Sequence, residues 1–308
     1  MSQATITLGG LSGNPRRRRK ERAIRWTFTA AAGISVVISA AIVLTLVGKA
    51  IAFASAVEPS ALWSSGWFPR RGLFDIRTIV VGSFVVTGVA MAVAAPLGIG
   101  AAVYLSEYAR PRVRRMVKPI IELLAGIPSV VLGFFALTWI SPEIVQRVVD
   151  DASLFNMAAA GIGVGILVTP LVASISEDSL RSVPSALREA AYGMGARKRT
   201  TVARVVFPAA ISGIVASLIV GISRAIGETM VVAIAAGGTG GSEFTADPFE
   251  PGQTMTAAMT ALAIGSDQVK GAGNAFESLF FVGLLLFSMT LVLNVVSERF
   301  VRKVRQKY

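Results

Sequence analysis

Six apolar stretches limit what this chain can fold into more than any other feature of its sequence. A lipid hydrocarbon core about 30 Å thick is crossed by roughly 20 helical residues, and each stretch reaches that length. Strands open to lipid would leave backbone groups without hydrogen bonds, so all six are predicted to be helices. The chain is therefore predicted to be an all-α integral membrane protein with six transmembrane helices. The stretches are Trp26–Phe53, Thr78–Leu105, Ile120–Ile140, Met157–Ser176, Ala209–Ala236 and Phe276–Val296.

The residue types that are missing exclude several kinds of chemistry. The chain has no cysteine and no histidine, which removes cysteine nucleophiles, histidine acid–base catalysis and Cys/His metal sites. It also lacks the G-x-x-x-x-G-K-[ST] pattern of an ATP-binding P-loop. We therefore predict no catalytic residue, no metal and no cofactor, and we expect any ATP-driven step to take place on another chain.

The distribution of lysine and arginine predicts the orientation in the membrane. The N-terminal tail carries seven of these residues, the loop after the second stretch five, the loop after the fourth six and the C-terminal tail five. Only six lie on the opposite side. The positive-inside rule then places both termini in the cytoplasm, and the net charge of +12 indicates topology rather than nucleic-acid binding. The predicted extracytoplasmic segments are Val57–Arg77, Ser141–Asn156 and Gly237–Ala275.

The cytoplasmic loop at about residues 182–208 is predicted to contain a short helix. Ser182 can cap it, Pro184 suits its first turn, and an apolar stripe follows at helical spacing. Gly193 and Gly195 are placed to end the helix and turn the chain, and a second, basic helix leads into the fifth stretch. The residues alone leave two interpretations open, docking into a groove on another protein or resting on lipid headgroups. The stripe consists of Leu187, Ala190, Ala191 and Met194.

This loop resembles the EAA loop of ABC-importer permeases, whose pattern is E-A-A-x-x-x-G, nine residues, then I-x-L-P. The matching residues are Glu189, Ala190, Ala191, Gly195, Val205, Phe207 and Pro208, with valine and phenylalanine replacing isoleucine and leucine. The resemblance implies a MetI-like permease fold, in which this segment is a coupling helix that sits in a cleft of a cytoplasmic ATP-binding subunit.

Three further segments resemble the phosphate-importer permeases, and the likeness covers about residues 75–300. They read YLSEYA from Tyr104, ELLAGIPSVV from Glu122 and RAIGET from Arg224, and the second is more like the PstC than the PstA subunit. The resemblance implies an ATP-driven phosphate importer that alternates access between the two sides of the membrane. It also implies four partners: a second, PstA-like permease, a PstB-like ATPase dimer, a PstS-like extracytoplasmic phosphate-binding protein and the lipid bilayer.

Arg224 and Glu228 are the predicted residues of the substrate pathway. A lone charge inside a membrane span costs roughly 2.5–3.5 kcal/mol, and residues four apart share a helix face on which they can neutralise each other. The pair is either a structural neutralisation or an arginine that lines an anion path and is held by the glutamate. Arginine suits phosphate through its forked donors, which favours the path, and Thr229 follows as a neutral donor.

The third stretch carries an interruption, Gly126–Ser129. Proline lacks a backbone donor and disturbs a helix, so Pro128 and Ser129 are predicted either to line the pathway or to mark a kinked packing helix. Lys118 and Glu122 are predicted to form a surface pair four residues apart. Gly161, Gly163 and Gly165 form a small-residue face for helix contact.

The predicted organisation is a basic cytoplasmic tail over residues 1–25, a permease domain over 26–298 and a second basic tail over 299–308. Four other functions stay open: a PstA-type permease, a permease for another oxyanion, a proton-coupled secondary transporter that uses Glu228, and a membrane enzyme acting on lipid phosphates. The secondary transporter would need further intramembrane acids or paired broken helices, and the enzyme a nucleophile or base cluster. Neither feature is evident in the sequence.

Overall fold

The computed structural model describes residues 15–237, 241–264 and 274–304. In these ranges six helices are long and apolar enough to cross a membrane, as predicted. They are Arg19–Ala56, Ile76–Tyr108, Ser129–Val148, Met157–Arg181, Lys198–Ile226 and Ala275–Arg299. The ends of both predicted tails, residues 1–14 and 305–308, lie outside the described part. The chain divides into two compact units, Met1–Lys49 and Ala50–Tyr308.

Helices make up nearly all of the regular structure. They are α1 (Pro15–Ala56), α2 (Ile76–Val103), α3 (Pro111–Leu124), α4 (Ser129–Phe135), α5 (Gln146–Val148), α6 (Met157–Arg181), α7 (Ser185–Gly193), α8 (Lys198–Thr201), α9 (Phe207–Ile226), α10 (Met230–Ala235), α11 (Met255–Ile264) and α12 (Ala275–Val304). The described residues also form three π-helical segments. Tyr104–Tyr108 continues α2, Ala136–Val145 joins α4 to α5, and Val202–Val206 joins α8 to α9. Strands β1 (Trp67–Phe68) and β2 (Leu73–Phe74) pair antiparallel before α2.

Side-chain caps fix where two of the spanning helices begin. The Asp75 carboxylate accepts a hydrogen bond from the Arg77 backbone N–H at 3.3 Å at the start of α2. The Asn156 side chain accepts one from the Ala159 N–H at 2.6 Å at the start of α6. Asn156 also donates to the Ser141 hydroxyl at 2.8 Å. These contacts satisfy backbone donors that a helix start leaves open and join α6 to the end of the third span.

Glycine allows α2 and α6 to pack closely at the centre of the second unit. A Cβ atom added at Gly161 would lie 2.6 Å from the Val89 Cβ, and one added at Gly165 would lie 2.8 Å from the Ala90 carbonyl oxygen. Gly163 faces the other way, toward α4 and α10. The predicted role of these glycines in helix contact is confirmed, because small residues let helix backbones approach in lipid.

The predicted third span, Ile120–Ile140, is wrong at its start. The chain forms two separate helices here: α3 ends at Leu124, and the spanning segment begins at Ser129. Pro128 has no N–H to continue the hydrogen bonds of α3, and a proline pushes the residue before it out of the helical region. The proline therefore separates two helices and does not kink one.

The predicted fifth span, Ala209–Ala236, is also wrong at both ends. The spanning helix begins at Lys198 and ends at Ile226, and α10 starts only at Met230 after a break in the helix. The predicted extracytoplasmic segment Gly237–Ala275 contains α11, whose first residues, Met255 to Ala258, are 0–6% exposed. This part of the segment is thus packed inside the protein.

Candidate functional site

Arg224 and Glu228 form an ion pair at the break between α9 and α10. Arg224 Nη1 lies 2.9 Å from Glu228 Oε2. The Glu228 side chain is 3% exposed and that of Arg224 is 49% exposed. Arg224 occupies the last turn of α9, whereas Glu228 lies beyond the helix end at Ile226. The predicted pairing is confirmed, but the prediction that both residues belong to one continuous helix is wrong.

The backbone of the break is held by a hydroxyl side chain of α11, and the first turn of α11 is held in turn by a hydroxyl of α2. The Glu228 N–H donates to the Ala225 carbonyl at 3.1 Å, and its own carbonyl accepts from the Thr256 hydroxyl at 2.7 Å. Thr256 contacts the Thr254 hydroxyl at 3.0 Å, and the Ser83 hydroxyl accepts from the Met255 N–H at 3.0 Å. The first turn of α11 therefore fixes the position of the buried carboxylate.

Sequence reasoning missed Ser83, Thr254 and Thr256. All three are buried, at 2%, 3% and 6% exposure. Thr256 donates to a carbonyl that the break leaves open, and Ser83 and Thr254 accept from N–H groups in the first turn of α11. The hydroxyl residues at the start of the apolar run Met255–Ile264 are the available signal, but the run is too short to span a membrane, so the sequence predicts only an extracytoplasmic segment there.

The other predicted pathway residues are not all at the break. Thr229 directly follows Glu228, and its hydroxyl donates to the Gly227 carbonyl at 3.3 Å. Pro128 and Ser129 stand at the start of α4, where the Pro128 carbonyl accepts from the Val131 N–H at 3.0 Å. In the described residues no hydrogen bond or ion pair joins either of them to Arg224. The structure brings α4 against α10 through Gly133, one turn further along α4.

The short helix predicted in the loop at residues 182–208 is present as α7, and its end matches the prediction for Gly195. Gly195 has φ +80°, its N–H donates to the Tyr192 carbonyl at 2.9 Å, and the Ala196 N–H donates to the Ala191 carbonyl at 3.0 Å. This pair of hydrogen bonds around a left-handed glycine is the Schellman motif that ends many helices. Ser182 does not cap α7, since its hydroxyl donates to the Ser179 carbonyl at the end of α6.

The predicted apolar stripe of α7 faces two directions. Leu187 is half-buried and Ala191 is 3% exposed, so these two residues attach the helix to the protein. Ala190 and the 83%-exposed Met194 face outward, and the Glu189 side is exposed with them. The outer face of α7 therefore presents Glu189, Ala190, Tyr192 and Met194, which we call the outer α7 face.

A buried carboxylate on α6 holds α3 in place. Glu177 is 1% exposed, with Arg114 Nη2 at 2.6 Å from one oxygen and Lys118 Nζ at 2.8 Å from the other. Lys118 also lies 2.9 Å from Asp178, and these hydrogen bonds raise the pKa of the Lys118 ammonium above its ordinary value. The predicted pairing of Lys118 with Glu122 is wrong. The basic face of α3 is directed toward α6, so Lys118 pairs with carboxylates of α6 and not with a residue of its own helix.

Comparison with known proteins identifies the family. Residues 94–306 match the model of the family described as binding-protein-dependent transport system inner membrane component. The chain is 32% identical over 287 residues to the probable ABC transporter permease protein YqgH of Bacillus subtilis, covering 92% of this chain and 91% of the relative. It is 31% identical to the phosphate transport system permease protein PstC 1 of Mycobacterium tuberculosis (77% and 75% covered). It is 36% identical over a shorter 186 residues to PstA 1 of that species (59% of each).

Solved structures show the same fold at low sequence identity. A bacterial ABC transporter involved in the import of the acidic polysaccharide alginate superposes with a TM-score of 0.65 at 16% identity, covering 94% of this chain and 100% of that chain. The MetNI methionine ABC transporter matches with a TM-score of 0.51 at 21% identity, over 75% and 94%. The MetI-like permease fold is thus confirmed. With six membrane-spanning helices and a family match over residues 94–306, this chain belongs to the binding-protein-dependent transport system inner membrane components and is a multi-pass permease of the ABC-transporter class.

Proposed function

We propose that this chain is a PstC-type permease subunit of an ATP-driven importer of inorganic phosphate. The observation that carries the proposal is the half-exposed Arg224 guanidinium, held at a helix break by the buried Glu228 carboxylate at 2.9 Å. The names of the relatives, which include phosphate transport system permeases, support phosphate as the substrate. The match to the PstC relative covers more of this chain than the match to the PstA relative does, and this supports the PstC subunit type.

The pair has the chemistry that a transient phosphate site needs. A guanidinium presents its donors in a planar fork that matches two phosphate oxygens, and in the structure one of its nitrogens is engaged by Glu228. The glutamate balances the arginine charge when no anion is present, so that the site does not hold its substrate too tightly. Transport requires binding that is favourable enough for entry and weak enough for release. Thr229, Pro128 and Ser129 would complete the lining of this path.

This chain forms part of the substrate pathway, and separate chains form the other subunits of the transporter. An ATPase dimer binds the outer α7 face, including Glu189, Ala190 and the turn at Gly195, and its closure on ATP switches the path from inward to outward access. A second, PstA-like permease forms the other half of the path, and an extracytoplasmic binding protein delivers phosphate. Both termini lie in the cytoplasm, in keeping with the positive-inside rule.

Uptake by reconstituted vesicles tests this function. The chain is assembled with its candidate permease, ATPase and binding protein in proteoliposomes, and radiolabelled phosphate uptake is measured with and without ATP on the ATPase side. We expect uptake that needs ATP and is not displaced by excess sulfate. Uptake without ATP that follows a proton gradient would indicate a secondary transporter, and displacement by sulfate would indicate a permease for another oxyanion.

Arg224→Lys separates an anion path from a structural ion pair. Lysine keeps the charge that neutralises Glu228 but loses the planar fork, so uptake should fall sharply while assembly stays intact. The exposed pair Glu143–Arg147 has the same spacing of four residues, and Arg147→Lys is the matched control that should transport normally. Exchanging Arg224 and Glu228 keeps the neutral pair but moves the positive charge from the half-exposed position to the buried one. Full uptake in that exchanged double variant would refute the pathway role.

A further inference from the structure

Arg188 attaches the inner side of α7 to three other parts of the chain. Its Nη2 lies 2.8 Å from Glu107 Oε1 and 2.8 Å from the Leu180 carbonyl oxygen, and its Nη1 lies 2.6 Å from the Val183 carbonyl oxygen. The side chain is 19% exposed. One guanidinium therefore joins α7 to the end of α6, to the segment between them, and to the segment that follows α2. Its planar fork is suited to holding several acceptors in fixed directions.

Glu107 is placed for this contact by an irregular turn. It lies in the π-helical segment Tyr104–Tyr108, where the Ala109 N–H donates to the Tyr104 carbonyl at 2.8 Å. The wider turn of a π-helix is rare and is often found at functional positions. The Glu107 side chain is 6% exposed, and the Ser106 hydroxyl donates to the same oxygen at 3.1 Å. Burial of both partners makes the loss of either one costly, since it leaves a charge away from water without its partner.

Apolar residues from several spans pack around the Arg188–Glu107 ion pair. Leu187, next to Arg188, packs against a buried cluster of residues from α2, α6, the loop before α7 and the start of the fifth span. The cluster is formed by Ala102, Leu180, Val183, Val206, Ala210 and Ile214. The cytoplasmic ends of these spans and α7 thus form one packed body, and within it the Arg188–Glu107 ion pair directly connects α7 to the end of α2.

We propose that Arg188 is a positioning residue that transmits movement of α7 to the second and fourth spans, with Glu107 as its acceptor. The proposal rests on the proposed function, because it needs a separate ATPase that moves α7. Arg188 faces inward while the outer α7 face stays exposed for the ATPase. Docking and transmission therefore use different side chains of the same helix. Breaking the pair should leave the ATPase bound and hydrolysing ATP, while less of that hydrolysis drives transport.

The test measures phosphate transported per ATP hydrolysed by the assembled transporter in proteoliposomes. Coupling between two sites in a protein typically corresponds to about a 5- to 150-fold effect, and we expect Glu107→Gln to lower this ratio about ten-fold. Copurification with the ATPase and the rate of ATP hydrolysis should stay near wild type. Glu143→Gln, which removes the carboxylate of an exposed ion pair, is the control and should leave the ratio unchanged. An unchanged ratio in Glu107→Gln would overturn the proposal.

A covalent replacement of the ion pair makes the test independent of charge. The chain contains no cysteine, so Glu107→Cys combined with Arg188→Cys can be joined selectively by a reducible bifunctional thiol reagent. We expect a low ratio before the link forms, a ratio near wild type after it forms, and a return to the low value on reduction. A linked transporter that stays uncoupled would overturn the proposal, as would failure of the unlinked double variant to assemble, which would make the pair a folding element. If the wild-type complex shows no ATP-driven phosphate uptake, the proposed function itself fails.

Discussion

Substitution of Gly195 tests whether the turn after α7 is needed for coupling to an ATPase. Gly195 has φ +80°, and a Cβ atom added there would have no heavy atom within 4 Å. Because the surrounding space is open, the cost of a side chain is that of the left-handed backbone, about 1–2 kcal/mol. A β-branched residue is more restricted than alanine, so the cost should rise from Gly195→Ala to Gly195→Val.

The two hydrogen bonds of the Schellman motif depend on this backbone conformation. A cost of about 1–2 kcal/mol changes the population of the intact turn by a factor of roughly 5 to 30. We expect Gly195→Val to insert into the membrane normally but to lose association with its ATPase or ATP-coupled phosphate uptake. Gly195→Ala should lose less, and Gly195→Asn should stay near wild type because asparagine tolerates the left-handed region.

Gly193→Ala is the matched control for this series. Gly193 lies two residues earlier, inside α7, and a Cβ atom added there also meets nothing within 4 Å, but its φ is not positive. Copurification of the ATPase and radiolabelled phosphate uptake measure the outcome. Wild-type values of both in Gly195→Val would refute the reasoning, and so would an equal loss in Gly193→Ala.

Two further substitutions test the packing and the ion pairs of the fold by thermal unfolding in detergent. Gly165→Val should lower the unfolding temperature, since a Cβ atom would lie 2.8 Å from a backbone oxygen of α2. Gly88→Ala should not lower it, because a Cβ atom there has nothing within 4 Å. Equal unfolding temperatures of the two variants would contradict the close packing of α2 and α6. Glu177→Gln should destabilise the protein by about 3 kcal/mol because it leaves two cations without their buried carboxylate. Glu122→Gln should have little effect on stability. If Glu122→Gln destabilised the protein more than Glu177→Gln, Lys118 would instead pair with Glu122 of its own helix.

The number of spans was predictable because the bilayer acts on each segment separately. Runs of about 20 apolar residues were sufficient to identify all six helices. Only the third and fifth were misplaced, and both errors come from residues that interrupt a helix inside an apolar run. At Pro128 the missing N–H ends one helix, although the apolar run continues through it. At Glu228 the carbonyl that the break leaves open is satisfied by Thr256, which lies 28 residues further along the chain.

The loop at residues 182–208 also has features with local causes and features with distant causes. The position of α7 and the left-handed Gly195 could be predicted, since both follow from residues within one short segment. The direction in which the stripe faces could not: Leu187 and Ala191 contact the protein, while Ala190 and Met194 point away. Helical spacing defines an apolar face but does not indicate what covers it.

The sequence by itself therefore determined that this chain has six helices long enough to cross a membrane, carries a short helix between the fourth and the fifth of them and pairs Arg224 with Glu228. Hydropathy, turn chemistry and a spacing of four residues are local properties. Only the tertiary structure decided which charges meet across the fold. Arg188 reaches Glu107 over 81 residues and Lys118 reaches Glu177 over 59. Charged groups buried near the membrane need partners, and which partner is within reach depends on how the helices pack, since each of these cations also has other carboxylates nearby in sequence.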